Sequence, residues 1–255
     1  MEPSGTSEKS GLGIVFKDDN RFWVENSDSW PYYWIGQFDI KFPNGESGTG
    51  TGTLIGRRHV LTCAHNLYQA KRGGYSKVGF SLGRNGQKVP YKRVAVTRPF
   101  VDERYKKLSP PSPGRNGTVP GEITHYMYDY GLVELESELN PSKDHFPNMY
   151  AAEDHELEGV FDIAGYPTDK KDPSNTMWNG SGMISEEAPE EFLFYKISTF
   201  DGNSGSAVRW KFEDKMPPRI VGIHVAGAQE LDINFAVRLN SDLISQITDW
   251  MHKDA

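Results

Sequence analysis

The feature that most restricts the fold is a two-residue period that returns in short runs along the 255 residues. Trp34 to Phe42 reads WIGQFDIKF, and in an extended chain Trp34, Phe38, Ile40 and Phe42 point to one side. Similar runs follow at 48–55, 59–62, 77–82, 89–97, 131–135, 160–165, 182–185, 192–195, 206–210, 219–225 and 234–238. Turns rich in the 26 glycines and 16 prolines separate them. Many short strands with such punctuation predict an all-β sandwich or barrel. No strand–helix alternation is present, which argues against a parallel sheet.

One helix reads clearly. Asn240 or Ser241 can cap it, since a short side-chain oxygen accepts the free N–H groups of a first turn. Leu243, Ile244, Ile247, Trp250 and Met251 then recur on one helical face, as expected of a helix docked on a core. Residues 102–128, with Pro110, Pro111, Pro113 and Pro120, are expected to form an exposed loop. The acidic stretch 137–159 reads as a connector between two halves.

Composition removes several function classes. The net charge of −7 argues against phosphate-backbone binding, which rests on clustered Lys and Arg. A single cysteine excludes intrachain disulfides and multi-Cys zinc sites. No apolar run approaches the ~20 residues of a membrane span. The opening MEPSGTSEKS lacks the apolar stretch of a secretory signal.

Three segments carry chemistry. Thr62-Cys63-Ala64-His65 ends an apolar strand, Asp129 opens the buried run Gly131 to Leu135, and Asp201-Gly202-Asn203-Ser204-Gly205-Ser206 precedes another. Each alone is weak, since a histidine after a strand is commonly structural. Together they are specific. A neutral serine hydroxyl needs a base to remove its proton during attack. Imidazole has the right pKa for that task, and a buried carboxylate fixes its tautomer. The order His65, Asp129, Ser204 is that of the chymotrypsin branch. The backbone N–H groups of Gly202 and Ser204 can form an oxyanion hole with no side chain in the way.

These motifs resemble the chymotrypsin-fold serine proteases, and within them the bacterial glutamyl endopeptidases. The narrower likeness rests on Gly165-Tyr166-Pro167-Thr168-Asp169-Lys170, Thr176-Met177-Trp178 with Gly182, and Val221-Gly222-Ile223-His224-Val225-Ala226-Gly227. With the terminal helix it spans roughly residues 14–250. It implies two packed six-stranded antiparallel β-barrels and a C-terminal α-helix, with the catalytic residues in the cleft between them. The divisions expected are a polar arm or pro-segment at 1–13, an N-barrel over about 14–137, a linker and C-barrel over about 138–239, and a helix over about 240–253.

The resemblance also implies a specificity pocket. Ser198 stands six residues before Ser204, at the floor where trypsin-like enzymes carry an aspartate, and a neutral floor removes the reason to bind Lys or Arg. Thr199 and His224 fall where glutamyl endopeptidases hold the substrate carboxylate. Both can donate charge-assisted hydrogen bonds, and such a site discriminates by up to ~10⁴-fold or more. The competing reading of His224 is a satisfied core histidine. Glutamyl endopeptidases also use a freed N-terminal amine, and Gly13-Ile14-Val15-Phe16 resembles the start of a mature chain. Ile14 is therefore the expected mature terminus if the chain is a precursor. Otherwise residues 1–13 are an arm of a constitutively active enzyme.

The expectation is a monomeric serine endopeptidase cleaving after Glu, and more weakly Asp, with no metal, no organic cofactor, no nucleic acid and no membrane partner. The family is mostly secreted, yet nothing in the chain directs export. The alternatives are a protease of the same fold with another specificity, and a binding module without turnover. Cys63 reads as a core thiol rather than a nucleophile. His59, His125, His145, His155 and His252 show no metal-ligand spacing. Asn116-Gly117-Thr118 and Asn179-Gly180-Ser181 match the glycosylation sequon, which is common by chance.

Overall fold

The computed structural model describes residues 9–10, 13–108, 123–141, 145–172, 174–210 and 218–253. In chain order the first strands are β1 (Lys9–Ser10), β2 (Gly13–Ile14), β3 (Phe22–Trp23), β4 (Ile35–Lys41), β5 (Ser47–Leu54) and β6 (His59–Thr62). Then come β7 (Tyr68–Gln69), β8 (Gly74–Tyr75), β9 (Lys77–Leu82), β10 (Val94–Val101), α1 (Glu103–Leu108) and β11 (Gly131–Leu135). The second half holds β12 (Asn148–Met149), β13 (Phe161–Gly165), β14 (Trp178–Gly182), β15 (Ile184–Ser185) and β16 (Phe192–Tyr195). It ends with β17 (Ala207–Trp210), β18 (Arg219–Ala228), β19 (Ile233–Arg238) and α2 (Ser241–His252).

Six strands close a barrel in the order β10-β11-β6-β5-β4-β9. The alternation in β4 explains its seat there: Trp34, Phe38, Ile40 and Phe42 are all buried in one cluster. Phe38 meets Phe80 of β9 with ring centroids 5.0 Å apart. Truncating either to Ala in a close-packed interior costs about 3–5 kcal/mol. The second sheet runs β15-β16-β19-β18-β17-β13-β14-β3, with β12 added in parallel to β18. Its ladders leave this sheet curled and open, so one barrel of the expected pair closes fully among the described residues. The architecture is the all-β chymotrypsin-like one.

A third apolar cluster joins the halves. Leu61, Cys63, Tyr130 and Leu132 from the barrel pack with Ala207, Ile223, Val225 and Phe235 from the sheet. The edge where β6 ends and β11 begins therefore lies against β17 and β18. Asn240 caps α2, its Oδ1 accepting from the Leu243 N–H at 2.9 Å. Trp250 of α2 stacks on Tyr130, centroids 5.8 Å apart, and so braces the residue beside Asp129.

The segment 102–128 differs from an exposed loop where it is described. α1 buries Tyr105, and a 3₁₀ turn at Ile123–Tyr126 buries Ile123 and Tyr126. Aromatic and branched side chains there gain more from burial than the loop gains from hydration. The four prolines, and the sequon at Asn116, lie outside the described residues.

Candidate active site

β6 and β11 are paired neighbours with Thr62 opposite Gly131. The turn that follows β6 and the turn that precedes β11 therefore emerge side by side. The first is the 3₁₀ turn Ala64–Asn66, which carries His65. In the second, the Asp129 N–H donates to the Tyr126 carbonyl at 2.8 Å. The Asp129 carboxylate meets His65 twice. Oδ2 lies 2.7 Å from His65 Nδ1, and Oδ1 accepts the His65 backbone N–H at 2.9 Å. Both residues are buried. Burial by itself would lower the imidazole pKa, but the adjoining carboxylate outweighs it and holds His65 well above its ordinary value. With Nδ1 donating to Asp129, the basic lone pair of the neutral ring sits on Nε2.

Ser204 lies in a turn that only glycine can flank. Gly202 and Gly205 have φ of +98° and +88°. A β-carbon on Gly202 would stand 2.2 Å from the Tyr166 carbonyl oxygen. The Ser204 carbonyl accepts from the Thr51 N–H and from Asn66 Nδ2, both at 2.9 Å. Asn66 adjoins His65, so the histidine turn and the serine turn are tied together. The Ser204 hydroxyl is buried with no hydrogen-bond partner. His65 Nε2 instead stands 3.5 Å from Cys63 Sγ. Thus the backbones converge while the hydroxyl and the imidazole are not bonded, as is common before substrate tightens a catalytic pair.

The residues expected to set specificity lie on the other side of the turn. The Gly205 N–H donates to the His224 carbonyl at 2.9 Å, and the His224 N–H to the Ser206 carbonyl at 2.8 Å. His224 and Thr199 are fully buried, and Ser198 nearly so. The Thr199 hydroxyl has no hydrogen-bond partner. Ser198 Oγ accepts the Phe16 N–H at 3.0 Å, and the Thr199 N–H donates to the Ile14 carbonyl at 3.0 Å. A β-carbon on Gly13 would be 2.6 Å from Thr199 Oγ1, so the N-terminal segment lies directly against this wall.

Residues 50–209 match the trypsin-like peptidase domain family. The chain belongs to that family. This trypsin-like peptidase is 28% identical over 242 residues to the glutamyl endopeptidase of Bacillus licheniformis, covering 92% of the chain and 68% of the relative. It is 26% identical over 240 residues to a Bacillus subtilis protein named extracellular metalloprotease, covering 94% and 70%. Its fold is similar to a solved Glu endopeptidase in complex with MPD, with a TM-score of 0.74, 24% identity, and coverage of 94% of this chain and 100% of that one. The trypsin-like peptidase is thus a serine endopeptidase of chymotrypsin-like fold that acts on peptide substrates.

Cys63, His65 and Asp129 form the one cluster of metal-ligand types among the described residues. Their donor atoms lie within 4.8 Å of one another, but they bond each other: Asp129 engages His65 Nδ1 and Cys63 faces Nε2. Burial also pushes the Cys63 thiol up, which disfavours the thiolate a metal or a nucleophilic role requires. At the second sequon Asn179 is buried in β14 and accepts from Arg209 at 3.3 Å, so it offers no acceptor for a glycan.

Three residues of this site escape a motif reading. Thr51 binds the serine turn, and Tyr195 reaches His224 Nδ1 at 2.8 Å. Asn234 takes the Ile14 N–H on Oδ1 at 2.8 Å and donates from Nδ2 to the carbonyls of Ile14 and Ile197, both at 2.8 Å. The signal available for Asn234 is a buried polar residue in the mostly apolar strand β19.

Proposed function

We propose that this serine endopeptidase hydrolyses bonds after Glu, and more weakly after Asp, through an acyl-enzyme. Ser204 Oγ attacks the scissile carbonyl while His65 Nε2 takes its proton and later delivers it to the leaving amine. Asp129 holds the ring and stabilises the imidazolium. The N–H groups of Gly202 and Ser204 receive the oxyanion, which is held by preorganised donors rather than by water. Ser198 keeps the floor neutral, and Thr199 with His224 binds the substrate carboxylate.

The observation that carries the acidic preference is the Thr199 hydroxyl, buried and lacking a partner beside the His224 strand. Buried polar groups are nearly always paired, so a buried hydroxyl left without a partner there suits a polar substrate group. Likeness to the Bacillus licheniformis glutamyl endopeptidase supports the same reading. Peptides differing only in Glu, Gln, Asp, Leu or Lys at the cleaved position test it. Glu is expected to exceed Gln by ~10² or more in kcat/KM, and equal rates would reject the carboxylate site.

The N-terminal segment adds a regulatory reading. Cleavage between Gly13 and Ile14 would free an amine whose nitrogen already contacts Asn234 Oδ1 beside Thr199. A positive charge there would strengthen carboxylate binding. A full-length chain, verified intact by mass spectrometry, that cleaves Glu peptides as fast as the trimmed form would exclude activation by trimming.

A further inference from the structure

Tyr195 and His224 sit on β16 and β18, which are separated in the sheet by β19. Their side chains meet across that strand, phenol oxygen to Nδ1 at 2.8 Å, with both residues buried. The direction of this bond follows from what each group can spare. A buried O–H without an acceptor loses the full desolvation penalty, whereas a phenol oxygen without a donor loses little. Nδ1 is the acceptor the phenol proton has. Burial also holds the Tyr195 pKa well above its ordinary value, so the proton is always there to donate.

A neutral imidazole carries one N–H and one lone pair. With the lone pair committed to Tyr195 at Nδ1, the hydrogen belongs on Nε2. A second proton would have to go onto Nδ1, directly against the phenol O–H. The phenol would then have to turn its proton into apolar surroundings. The charged side chains on the packed strands are engaged elsewhere: Arg209 of β17 with Asp162, Arg238 of β19 with Asp154, and Arg219 of β18 over the Tyr150 ring. Lys196, just after β16, pairs with Asp232. The Tyr195 phenol is hydrogen-bonded to the imidazole.

We propose that Tyr195 is a positioning residue for substrate selection. It locks His224 as the neutral Nε2–H tautomer, so an acidic side chain is read by a neutral donor. This inference rests on the glutamyl reading of the pocket and deepens it. Selectivity for Glu over Gln then does not follow the titration of an imidazole, and the discriminating positive charge must come from another group.

The test measures kcat/KM for two peptides that differ only in Glu or Gln at the cleaved position, from pH 5.5 to 8.5, with the full chain and its Tyr195→Phe variant. Protonation of His65 affects both peptides alike and cancels in their ratio. In the unsubstituted chain the ratio is expected to stay constant within about twofold. In Tyr195→Phe, Nδ1 of His224 is open to a second proton, and the ratio is expected to rise about tenfold or more toward the acid end of this range. A tenfold pH dependence with Tyr195 present, or identical profiles for the two proteins, overturns the proposal. A ratio near one at every pH in both proteins overturns the glutamyl reading and this inference with it. Nitrogen-15 NMR of histidine-labelled Ser204→Ala supplies a readout independent of turnover and of how Tyr195→Phe folds. A His224 protonated on Nε2 alone at neutral pH is expected; Nδ1–H or a doubly protonated ring overturns the proposal.

Discussion

The Thr51 hydroxyl donates to the Gly202 carbonyl at 2.7 Å, so a strand of the closed barrel holds the turn that carries Ser204 and the proposed oxyanion donors. The same oxygen accepts the Tyr166 N–H at 3.1 Å, and the Thr51 N–H reaches the Ser204 carbonyl. One residue therefore holds the serine turn through two hydrogen bonds and ties it to Tyr166 through a third.

Thr51→Val keeps the side-chain shape and removes the hydroxyl. It leaves the Tyr166 N–H and the Gly202 carbonyl short of a partner, at a cost of about 1–3 kcal/mol. The expected outcome is a lower denaturation midpoint and a reduced kcat with KM little changed. Urea unfolding and steady-state kinetics on one preparation check both.

Gly202→Ala should damage catalysis more than stability. The added carbon collides with the Tyr166 carbonyl, and the positive φ is unfavourable for any L-residue. The turn must shift, carrying the oxyanion donors away from the developing charge. A loss of ~10²–10³ in kcat is expected, the scale of removing one such donor. Retention of near-normal turnover would show that the Gly202 N–H is not used.

Ser204→Ala should lose up to ~10⁶ in turnover while folding normally. Cys63→Ala should retain turnover within about threefold, since burial disfavours its thiolate and its contact with Nε2 is not needed for proton transfer. Fluorophosphonate labelling followed by peptide mapping checks the pair. Label on the Ser204 peptide in the parent and in Cys63→Ala, and none in Ser204→Ala, is the expected pattern.

The pH profile has opposite signs for activity and stability. The proposed mechanism requires neutral His65, and the pKa is held above its ordinary value, so the acid limb of kcat/KM should lie above pH ~6.5. The stabilisation from the His65–Asp129 pair is complete below the unfolded imidazole pKa. It is lost as pH rises through the raised folded value. Denaturation midpoints should therefore fall slightly over the pH range in which activity rises. Asp129→Asn should lower the acid limb toward the ordinary imidazole value and reduce kcat by ~10⁴.

Many strands are legible in the sequence because they are short apolar runs bounded by turn residues. Runs 59–62, 77–82, 131–135 and 192–195 were bounded correctly on that basis. β14 was read only at its last residue, since Trp178–Gly182 is built from small and polar residues whose pairing with β3 and β13 is non-local. Val89 failed to start β10 because Pro90 follows it and lacks a ladder donor; the strand begins at Val94.

The sequence by itself determined the strand alphabet, the terminal helix and the ordered set His65, Asp129 and Ser204, because side-chain period and local turn chemistry are properties of neighbouring residues. Only the tertiary structure decided that Asn234 grips Ile14 and that Tyr195 reaches His224 across a third strand. Those contacts join residues up to 220 positions apart. Their partners are chosen by sheet order and packing, which no local pattern encodes.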